Sequence, residues 1–388
     1  MKMFVKRVLN RLAREFFSCL PLKPIILFES APDLSDNTKP VFDEMLRRGI
    51  NKHYKMVWIV SSATEALPAF ENVIYCGKNN GFFNYKLIYY RCVAKVLICC
   101  NDFFPSLRKG QTSFYLTHGT GVKNVRNYYN VPSNMDFVLV DGEGTRALGA
   151  YQLNFDIDKT FAMGYPRNDI LVSPSRNIKT LFPGTECNKL VVWYPTFRQH
   201  KLGILNAAKK ALPILHNEEQ AQKLNEIAKE NGILLVLKPH FAQDVSQIKA
   251  CLFSNIKFID DDFYRQHEIS SYEFLANCDA LLTDYSSVYY DYLLCDKPIG
   301  LVWEDYEEYR ATTDFAVDMD YYMKGGEKIY NLQDFAKFLQ NLAEGKDLLK
   351  KERAEISAWA NYSRDGKSAV RVTDFIVEKA NIEICKKG

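Results

Sequence analysis

The sequence lacks several of the signatures that would assign a function class directly. None of its apolar runs approaches the roughly 18–20 residues that a membrane-spanning helix requires. The ten cysteines form no CxxC pair and most lie in apolar segments, so we expect buried free thiols in a reducing compartment. No GxGxxG fingerprint, Walker A sequence or GxSxG elbow is present. The net charge of +3 is too small to indicate a nucleic-acid partner.

A metal-ligand set is also missing from the sequence. Aspartates cluster at 260–262 and at 318 and 320, but no histidine or glutamate completes a ligand set near them. We therefore expect no metal ion.

The first 20 residues lack the continuous apolar core of a secretory signal, so we expect a cytoplasmic protein. Apolar residues recur there at helical spacing, which predicts an amphipathic helix. They are Phe4, Val5, Val8, Leu9, Leu12, Phe16 and Phe17. Much of the remaining surface is basic, with Lys2, Lys6, Arg7, Arg11 and Arg14. Such a helix fits an anionic membrane surface, and the alternative is a helix that packs on its own domain with its charges solvated.

The rest of the chain alternates short β-rich apolar runs with longer helical patterns, which predicts βαβ units and parallel sheets. The predicted strands of the first half are Ile25–Glu29, Met56–Val60, Val73–Cys76, Val96–Cys100, Phe114–Thr117 and Phe137–Val140. Those of the second half are Leu190–Tyr194, Leu234–Lys238, Lys257–Ile259, Ala280–Thr283 and Ile299–Val302. The segment 173–188 is interpreted as a linker. We predict an α/β protein of two doubly wound domains facing one another.

Two polar clusters follow predicted strands in the first half. The first, THGTGVK, offers His118 as a proton acceptor and Lys123 as a phosphate contact, with two glycines that permit close backbone approach. Its alternative is a glycine-rich turn with a surface histidine. The second, GYPRND, offers Arg167 and Asn168 as donors to an anion. Its alternative is a helix entry capped by Asn168 or Asp169.

Three further clusters follow strands in the second half. Arg198 comes after an aromatic strand end, where the alternative is a loop arginine beside core aromatics. Lys238 and His240 follow the apolar run ILLVL, where the alternative is a solvated loop. TDYSS places hydroxyl groups before a helical run, which favours phosphate binding, although Ser286 or Ser287 could simply cap the helix.

Together and in this order, these clusters resemble the motifs of the CDP-glycerol glycerophosphotransferase family, which includes teichoic acid primases and polymerases and related capsule enzymes. The matching strings are FESAPDLSDN (28–37), THGTGVK (117–123), MGYPRND (163–169), YPTFR (194–198), LKPH (237–240), TDYSSVYYDYLLCDKPI (283–299) and SRDGKSAVRVTDFI (363–376). The resemblance implies a GT-B-like fold with two Rossmann-type domains facing across a cleft. We accordingly expect a basic amphipathic helix at 1–22, an acceptor domain at 23–175 and a CDP-alditol donor domain at 176–388.

The resemblance also implies a reaction. Glycerol phosphate would pass from CDP-glycerol to a hydroxyl of a lipid-linked saccharide or polymer, with release of CMP, in teichoic acid or capsule polysaccharide synthesis. The alternatives are a CDP-ribitol-dependent transferase, a GT-B glycosyltransferase that uses a nucleotide sugar, and an inactive module that binds a nucleotide or polymer. No cofactor beyond the donor is expected. The implied location is the inner face of the bacterial cell membrane, as a peripheral protein.

Individual residues receive roles from the same resemblance. His118 would be the general base, and His240 would assist at the diphosphate. The donor phosphates would be held by a set of hydroxyl and basic residues: Arg198, Lys238, Thr283, Ser286, Ser287 and Arg371. An acceptor or phosphate loop would comprise Gly119, Thr120, Lys123, Arg167 and Asn168.

The chain departs from the family pattern at two places. After Thr120, many members have Pro-Leu-Lys where this chain has Gly121-Val122-Lys123, so we expect a different loop on the acceptor side. The long N-terminal extension of many polymerases is also missing, which favours a primase-like or short-chain transferase over a processive polymerase.

Overall fold

The computed structural model describes residues 2–61, 67–78, 82–174, 176–196, 212–239, 245–249 and 251–383. Two compact units make up the chain, and each is considered by itself. Unit 1 comprises Met1–Gly119, Val125–Asp169 and Asp365–Gly388, and unit 2 comprises Thr120–Asn124 and Ile170–Arg364.

Unit 1 contains a seven-stranded parallel sheet in the order β3-β2-β1-β4-β5-β6-β7. Its strands are β1 Lys23–Glu29, β2 Lys55–Val60, β3 Val73–Gly77, β4 Ala94–Cys99, β5 Thr112–Tyr115, β6 Phe137–Val140 and β7 Thr160–Ala162. Its helices are α1 Lys2–Ser18, α2 Thr38–Arg47, α3 Tyr85–Val93, α4 Glu143–Gln152 and the last helix of the chain, α14 Ser368–Lys379. Helices α2 and α14 pack on one face of the sheet and α3 on the other, so the central strands are apolar on both faces.

Unit 2 contains a six-stranded parallel sheet in the order β10-β9-β8-β11-β12-β13. Its strands are β8 Lys189–Trp193, β9 Ile233–Leu237, β10 Ile256–Phe258, β11 Ala280–Thr283, β12 Ile299–Val302 and β13 Glu327–Ile329. Its helices are α5 Glu218–Glu230, α6 Ser246–Lys249, α7 Asp261–Gln266, α8 Ser271–Asn277, α9 Val288–Tyr292, α10 Tyr306–Thr312, α11 Met319–Tyr322, α12 Leu332–Ala343 and α13 Lys350–Ala360. Helices α5 and α12 cover one face, and α8, α9 and α13 cover the other.

These two sheets confirm the predicted α/β class and all eleven strands that the sequence indicated, most of them within one or two residues of their ends. Two strands, β7 and β13, were not predicted. Each is three residues long and lies at a sheet edge. The predicted N-terminal helix is present as α1.

The unit boundaries differ from the predicted domain boundaries in two ways. Residues 365–388 belong to unit 1, because α14 packs on its sheet through Val372 and Ile376. The predicted linker 173–188 belongs to unit 2, because Ile178 and Phe182 are buried in that unit's core. The predicted facing arrangement of two domains stays a prediction.

No helix within the described ranges is both long enough and apolar enough to cross a membrane. Within the same ranges, no group of three or more histidine, cysteine, aspartate or glutamate side chains is arranged to hold a metal ion.

Candidate functional site

The loop that follows β5 presents His118 at the carboxyl-terminal edge of the unit 1 sheet, where parallel sheets commonly bind ligands. Thr117 and Gly119 on either side have φ angles of +46° and +139°, so the chain turns sharply and leaves the imidazole exposed. The imidazole Nδ1 lies 3.2 Å from the carbonyl oxygen of Cys100. Because a carbonyl oxygen only accepts, Nδ1 carries the hydrogen in the neutral ring, and Nε2 keeps a lone pair that can accept a proton.

Asn37, at the end of the string FESAPDLSDN, holds this loop in place through hydrogen bonds to its backbone. Its side-chain amide donates to the carbonyl oxygens of Leu116 at 3.2 Å and Thr117 at 3.1 Å. Its side-chain oxygen accepts from the backbone N–H of Arg167 at 3.2 Å. Asn37 is fully buried, so these bonds are shielded from water. One side chain thus joins three of the strings that the sequence singled out.

Arg167 closes the same network. One guanidinium nitrogen, Nη1, donates to Asp36 Oδ1 at 2.7 Å and to the carbonyl oxygen of His118 at 2.9 Å. The side chains of Arg167 and Asp36 are only 9% and 14% exposed. The sequence predicted that Arg167 and Asn168 donate to an anion. In the structure Arg167 is bonded to the histidine loop, and Asn168 is buried.

A second charged group lies at the same edge of the sheet, at the end of β1. The Glu29 carboxylate is fully buried, and its Oε1 lies 2.9 Å from Lys78 Nζ. Its other oxygen accepts hydrogen bonds from the backbone N–H groups of Asn101 and Asp102. Burial lowers the pKa of Lys78, but its bonds to Glu29 and Asp102 outweigh burial and leave that pKa raised. This edge of unit 1 therefore holds a fixed ion pair in addition to the histidine loop.

Arg371 lies in unit 1, whereas the sequence grouped it with the donor-binding residues of the second half. Its guanidinium donates to both carboxylate oxygens of Asp365, at 2.8 and 2.6 Å, and to the carbonyl oxygen of Met163 at 3.1 Å. These bonds fix α14 to the segment after β7, which is a structural role.

Asp169 was named only in the alternative interpretation, as a possible cap of a helix entry. It accepts from the backbone N–H groups of Ser368 and Ala369, both at 2.8 Å, and so caps α14 rather than a helix of its own. Burial raises the pKa of Asp169, although the two backbone N–H groups oppose that shift.

The THGTGVK string is divided between the units after Gly119. Thr120 and Lys123 belong to unit 2, and Thr120 is buried there. Lys123 forms an antiparallel bridge with Phe315, and its Nζ lies 5.4 Å from the centre of the Tyr309 ring. The sequence treated the string as one loop, and the structure assigns its histidine and its lysine to different units.

In unit 2, β11 leads into the TDYSS string. Thr283 is fully buried and donates to the carbonyl oxygen of Tyr194 at 3.0 Å, in place of the predicted phosphate contact. Ser286 and Ser287 are half-buried at the start of α9, and Ser286 Oγ lies 3.4 Å from the backbone N–H of Val288. Of the three predicted hydroxyls, the two serines are therefore the ones that a ligand can reach.

Asp284 connects this string to YPTFR. Its buried carboxylate accepts from the backbone N–H of Thr196 at 2.9 Å, from the Thr196 hydroxyl, and from the backbone N–H of Tyr285 at 2.6 Å. The end of β8 and the end of β11 are thus held together, as neighbouring parallel strands require.

Lys238 follows β9 at the same edge of the unit 2 sheet. Its Nζ lies 3.0 Å from Asp261 Oδ1 and 5.9 Å from the centre of the Tyr264 ring. The lysine side chain is 25% exposed and the aspartate 71% exposed, so this ion pair is open to water and to competing anions. Arg198 and His240, the other predicted residues of this edge, lie outside the described residues.

The sequence model of the family described as CDP-Glycerol:Poly(glycerophosphate) glycerophosphotransferase matches residues 12–378. The chain belongs to this family. The match runs through both units and includes every motif string described above.

Curated relatives include two teichoic acid enzymes of Bacillus spizizenii. A teichoic acid poly(ribitol-phosphate) polymerase is 24% identical over 94% of this chain, and the aligned region covers 58% of that protein. A teichoic acid poly(glycerol phosphate) polymerase is 23% identical over 74% of this chain and 75% of that protein. The chain therefore spans little more than half the length of the first of these relatives.

The solved structure of the wall teichoic acid polymerase TagF is similar to this chain, with a TM-score of 0.73 and 19% identity over 97% of this chain and 95% of that chain. This likeness confirms the predicted GT-B-like fold.

Within this member of the family, sequence reasoning missed the residues that hold the site in place. Asp36 and Asn37 in unit 1 and Asp284 in unit 2 were part of quoted strings, but no role was predicted for them. A signal was available for Asn37 and Asp284, because each is a short polar residue at the end of a predicted loop or strand, and both are buried, where an unpaired polar group would be costly.

Proposed function

We propose that the protein transfers glycerol phosphate from CDP-glycerol to an acceptor hydroxyl. The acceptor oxygen attacks the β-phosphorus, the bond between that phosphorus and the oxygen bridging to CMP breaks, and CMP leaves while the acceptor gains a phosphodiester. The acceptor proton passes to the catalytic base. The observation that carries the proposal is the exposed His118 ring, with Nε2 available as a base, inside a chain matched by the glycerophosphotransferase family.

The residue roles follow from what phosphoryl transfer demands. Such reactions depend mainly on positioning and on stabilising charge at the phosphoryl oxygens. In this proposal His118 takes the acceptor proton, and the Ser286 and Ser287 hydroxyls with Lys238 bind the donor phosphates. Arg198 and His240 are assigned to the donor diphosphate by the family resemblance alone. Thr283 and Arg371 are assigned no contact with the donor, because their polar atoms are committed elsewhere.

The proposed acceptor is a lipid-linked saccharide or a growing polymer, in teichoic acid or capsule synthesis. The transfer to this acceptor would take place at the inner face of the cell membrane. Helix α1 supports this location, because it exposes Phe4, Leu12 and Phe16 beside several basic residues.

Ribitol phosphate is a second candidate for the transferred group. The poly(ribitol-phosphate) polymerase aligns with 94% of this chain, whereas the poly(glycerol phosphate) polymerase aligns with 74%. The two donors differ only in the alditol, so the same base and phosphate contacts would serve either of them.

Donor-dependent thermal stabilisation tests the proposal without knowledge of the acceptor. Purified protein is heated with CDP-glycerol, CDP-ribitol, CMP, UDP-glucose or CMP-sialic acid. A ligand present at about 100 times its Kd stabilises the folded state by about 2.7 kcal/mol. Stabilisation by one CDP-alditol is expected and would identify the donor. Stabilisation by a nucleotide sugar alone would favour a glycosyltransferase, and binding without CMP release in the presence of membrane acceptors would favour an inactive binding module.

Replacement of His118 by alanine tests the base. General-base catalysis contributes about 10²–10⁴-fold, so His118→Ala is expected to lower kcat for CMP release by at least about 10²-fold. Stabilisation by the donor should persist, because the base contacts the acceptor. His53→Ala, at another exposed histidine of unit 1, is the matched control and should retain full activity. Near-normal turnover by His118→Ala would show that the base is another group.

A further inference from the structure

Unit 1 contains a cavity of about 500 Å³ between α1, α3 and β3, and none of its lining residues belongs to a motif string of the family resemblance. Its walls include Phe17 from α1, Ile74 and Tyr75 from β3, and Tyr85, Lys86 and Tyr89 from α3. The volume falls in the range of small-molecule sites, roughly 300–1,000 Å³. Tyr85 and Lys86 are exposed and Cys76 is buried, so the cavity runs from the surface of α3 towards the sheet.

The cavity wall is aromatic and presents few polar groups. The Tyr75 hydroxyl donates to the carbonyl oxygen of Pro68 at 2.6 Å, and the Tyr89 hydroxyl accepts from Lys23 Nζ at 2.6 Å. Both hydroxyl groups are thus bonded to the protein, so the polar atoms of these two phenols are already satisfied. Burial raises the pKa of Tyr75 and of Tyr90, as expected for phenols withdrawn from water. A hydrocarbon chain is the ligand class that such walls accommodate.

Lys86 is the cation among the lining residues, whereas Lys23 is bonded to the Tyr89 hydroxyl. Lys86 is exposed, and it forms no ion pair with any residue that the structure describes. Nearby on the same face, Phe17 of α1 packs edge-on against Tyr89 of α3 with ring centres 5.4 Å apart. An ammonium group beside an aromatic cavity matches an amphiphile with an anionic head and an apolar chain.

Helix α1, which closes one side of the cavity, likewise combines apolar and basic side chains. Along α1, Phe4 and Phe16 are 71% and 66% exposed, and the helix carries five basic residues against one acid, Glu15. Glu15 is already paired with Arg11 at 2.9 Å. The C-terminal end of α1 is fixed to unit 1 by Arg108, which donates to the carbonyl oxygens of Ser18 and Leu20. Helix α1 therefore carries exposed apolar side chains and a net positive charge, and through Phe17 it also supplies part of the cavity wall.

We propose that this cavity binds one hydrocarbon chain of an anionic membrane phospholipid, with the headgroup phosphate at Lys86. The proposal deepens the membrane contact proposed above for α1, since it assigns that contact a lipid-binding site in addition to a charged face. It is independent of the transferase chemistry, because no residue of the cavity belongs to the His118 loop.

A tryptophan placed in the cavity reports chain contact directly. Tyr85→Trp substitutes an exposed lining residue, and Tyr151→Trp, at an equally exposed position on α4, is the matched control. Both variants are mixed with vesicles of phosphatidylcholine and phosphatidylglycerol that carry bromine on the acyl chains, which quenches nearby tryptophan. Quenching of the Tyr85→Trp signal well beyond that of wild type and of Tyr151→Trp is expected. Equal quenching of both reporters on bound vesicles would overturn the proposal that the cavity binds a lipid chain, while the proposed membrane contact of α1 would stand.

Charge reversal at Lys86 tests the headgroup contact. Lys86→Glu is expected to weaken binding of hexadecyl phosphate by at least about tenfold, because a lysine attraction is replaced by repulsion. Lys159→Glu, at the opposite edge of the same sheet, should bind as wild type does. Inorganic phosphate should not bind measurably, and the neutral detergent dodecyl maltoside should bind Lys86→Glu and wild type alike. Hexadecyl phosphate binding that Lys86→Glu leaves unchanged would overturn the assignment. CMP release from CDP-glycerol is measured separately, so failure of the lipid site and failure of the transferase are distinguishable.

Discussion

Replacing Arg167 by lysine is expected to impair turnover by displacing the His118 loop. The guanidinium bridges the Asp36 carboxylate at 2.7 Å and the His118 carbonyl oxygen at 2.9 Å, from a position only 9% exposed. A lysine retains the charge, but its side chain is one atom shorter and ends in a tetrahedral ammonium, so it does not reach the position from which Nη1 contacts both partners. Loss of one charge-assisted hydrogen bond costs about 1.5–3 kcal/mol of unfolding free energy. A shift of the base by about 1 Å can cost about 10²-fold in rate, so we expect kcat to fall by about that factor.

The assay pairs denaturant unfolding with CMP release, and a second arginine provides the control. Arg146 donates to the carbonyl oxygens of Thr160 at 2.7 Å and Ile157 at 3.0 Å, so like Arg167 it joins two separate groups of unit 1, although both of its acceptors are backbone groups. Arg146→Lys should therefore lose a comparable amount of stability while retaining kcat. The KM for the donor should be unchanged in both variants. Equal kcat values for Arg167→Lys and wild type, at reduced stability, would refute the inference that Arg167 positions the base.

Two predictions concern stability alone. Gly164→Ala should destabilise the protein by more than about 1–2 kcal/mol in urea unfolding, because its φ of +79° disfavours a side chain and its Cβ would meet Ser368 Oγ; unchanged stability would show that the loop can relax. Hydrogen bonds, chiefly from Arg47, lower the pKa of Glu44 in the folded protein. The ionised carboxylate therefore adds to the free energy of unfolding above the ordinary glutamate pKa, and this contribution is lost as the pH falls through the lowered pKa. Glu44→Gln should therefore cost roughly 1–3 kcal/mol at pH 7 and nothing in acid, and a cost independent of pH would contradict the ion pairs.

The central strands were predictable because buried parallel strands are short apolar runs that end at polar residues. Phe137–Val140, Ala280–Thr283 and Ile299–Val302 have the predicted ends, since a polar residue or a turn follows each of them. The edge strands Thr160–Ala162 and Glu327–Ile329 were missed. Three residues carry little pattern to distinguish a strand from a loop, and an edge strand has only one neighbour to bury it, although the equally short edge strand Ile256–Phe258 was predicted.

The candidate site was predictable as a list of residues but not as a network. His118 was found because it follows a strand, and that position alone indicates the ligand-binding edge of a parallel sheet. Its supports were not found, because Arg167 meets Asp36 across 131 residues of sequence and Asp169 meets Ser368 across 199. Nothing in local spacing encodes such pairings, and Arg371 was therefore interpreted as a phosphate ligand when its bonds hold α14.

The distribution of the motif strings between the units leads to a last prediction. FESAPDLSDN, MGYPRND and residues 365–376 of the C-terminal string lie in unit 1 with His118, whereas the YPTFR, LKPH and TDYSS strings lie in unit 2. If unit 2 binds the donor, a variant carrying Ser286→Ala and Ser287→Ala should lose most of the thermal stabilisation given by the CDP-alditol. Thr283→Val should keep it, because that hydroxyl is buried against Tyr194. Arg167→Lys should keep it as well, since it alters the base and not the phosphate contacts. Loss of donor stabilisation in Arg167→Lys would place donor contacts in unit 1 and overturn this division of roles.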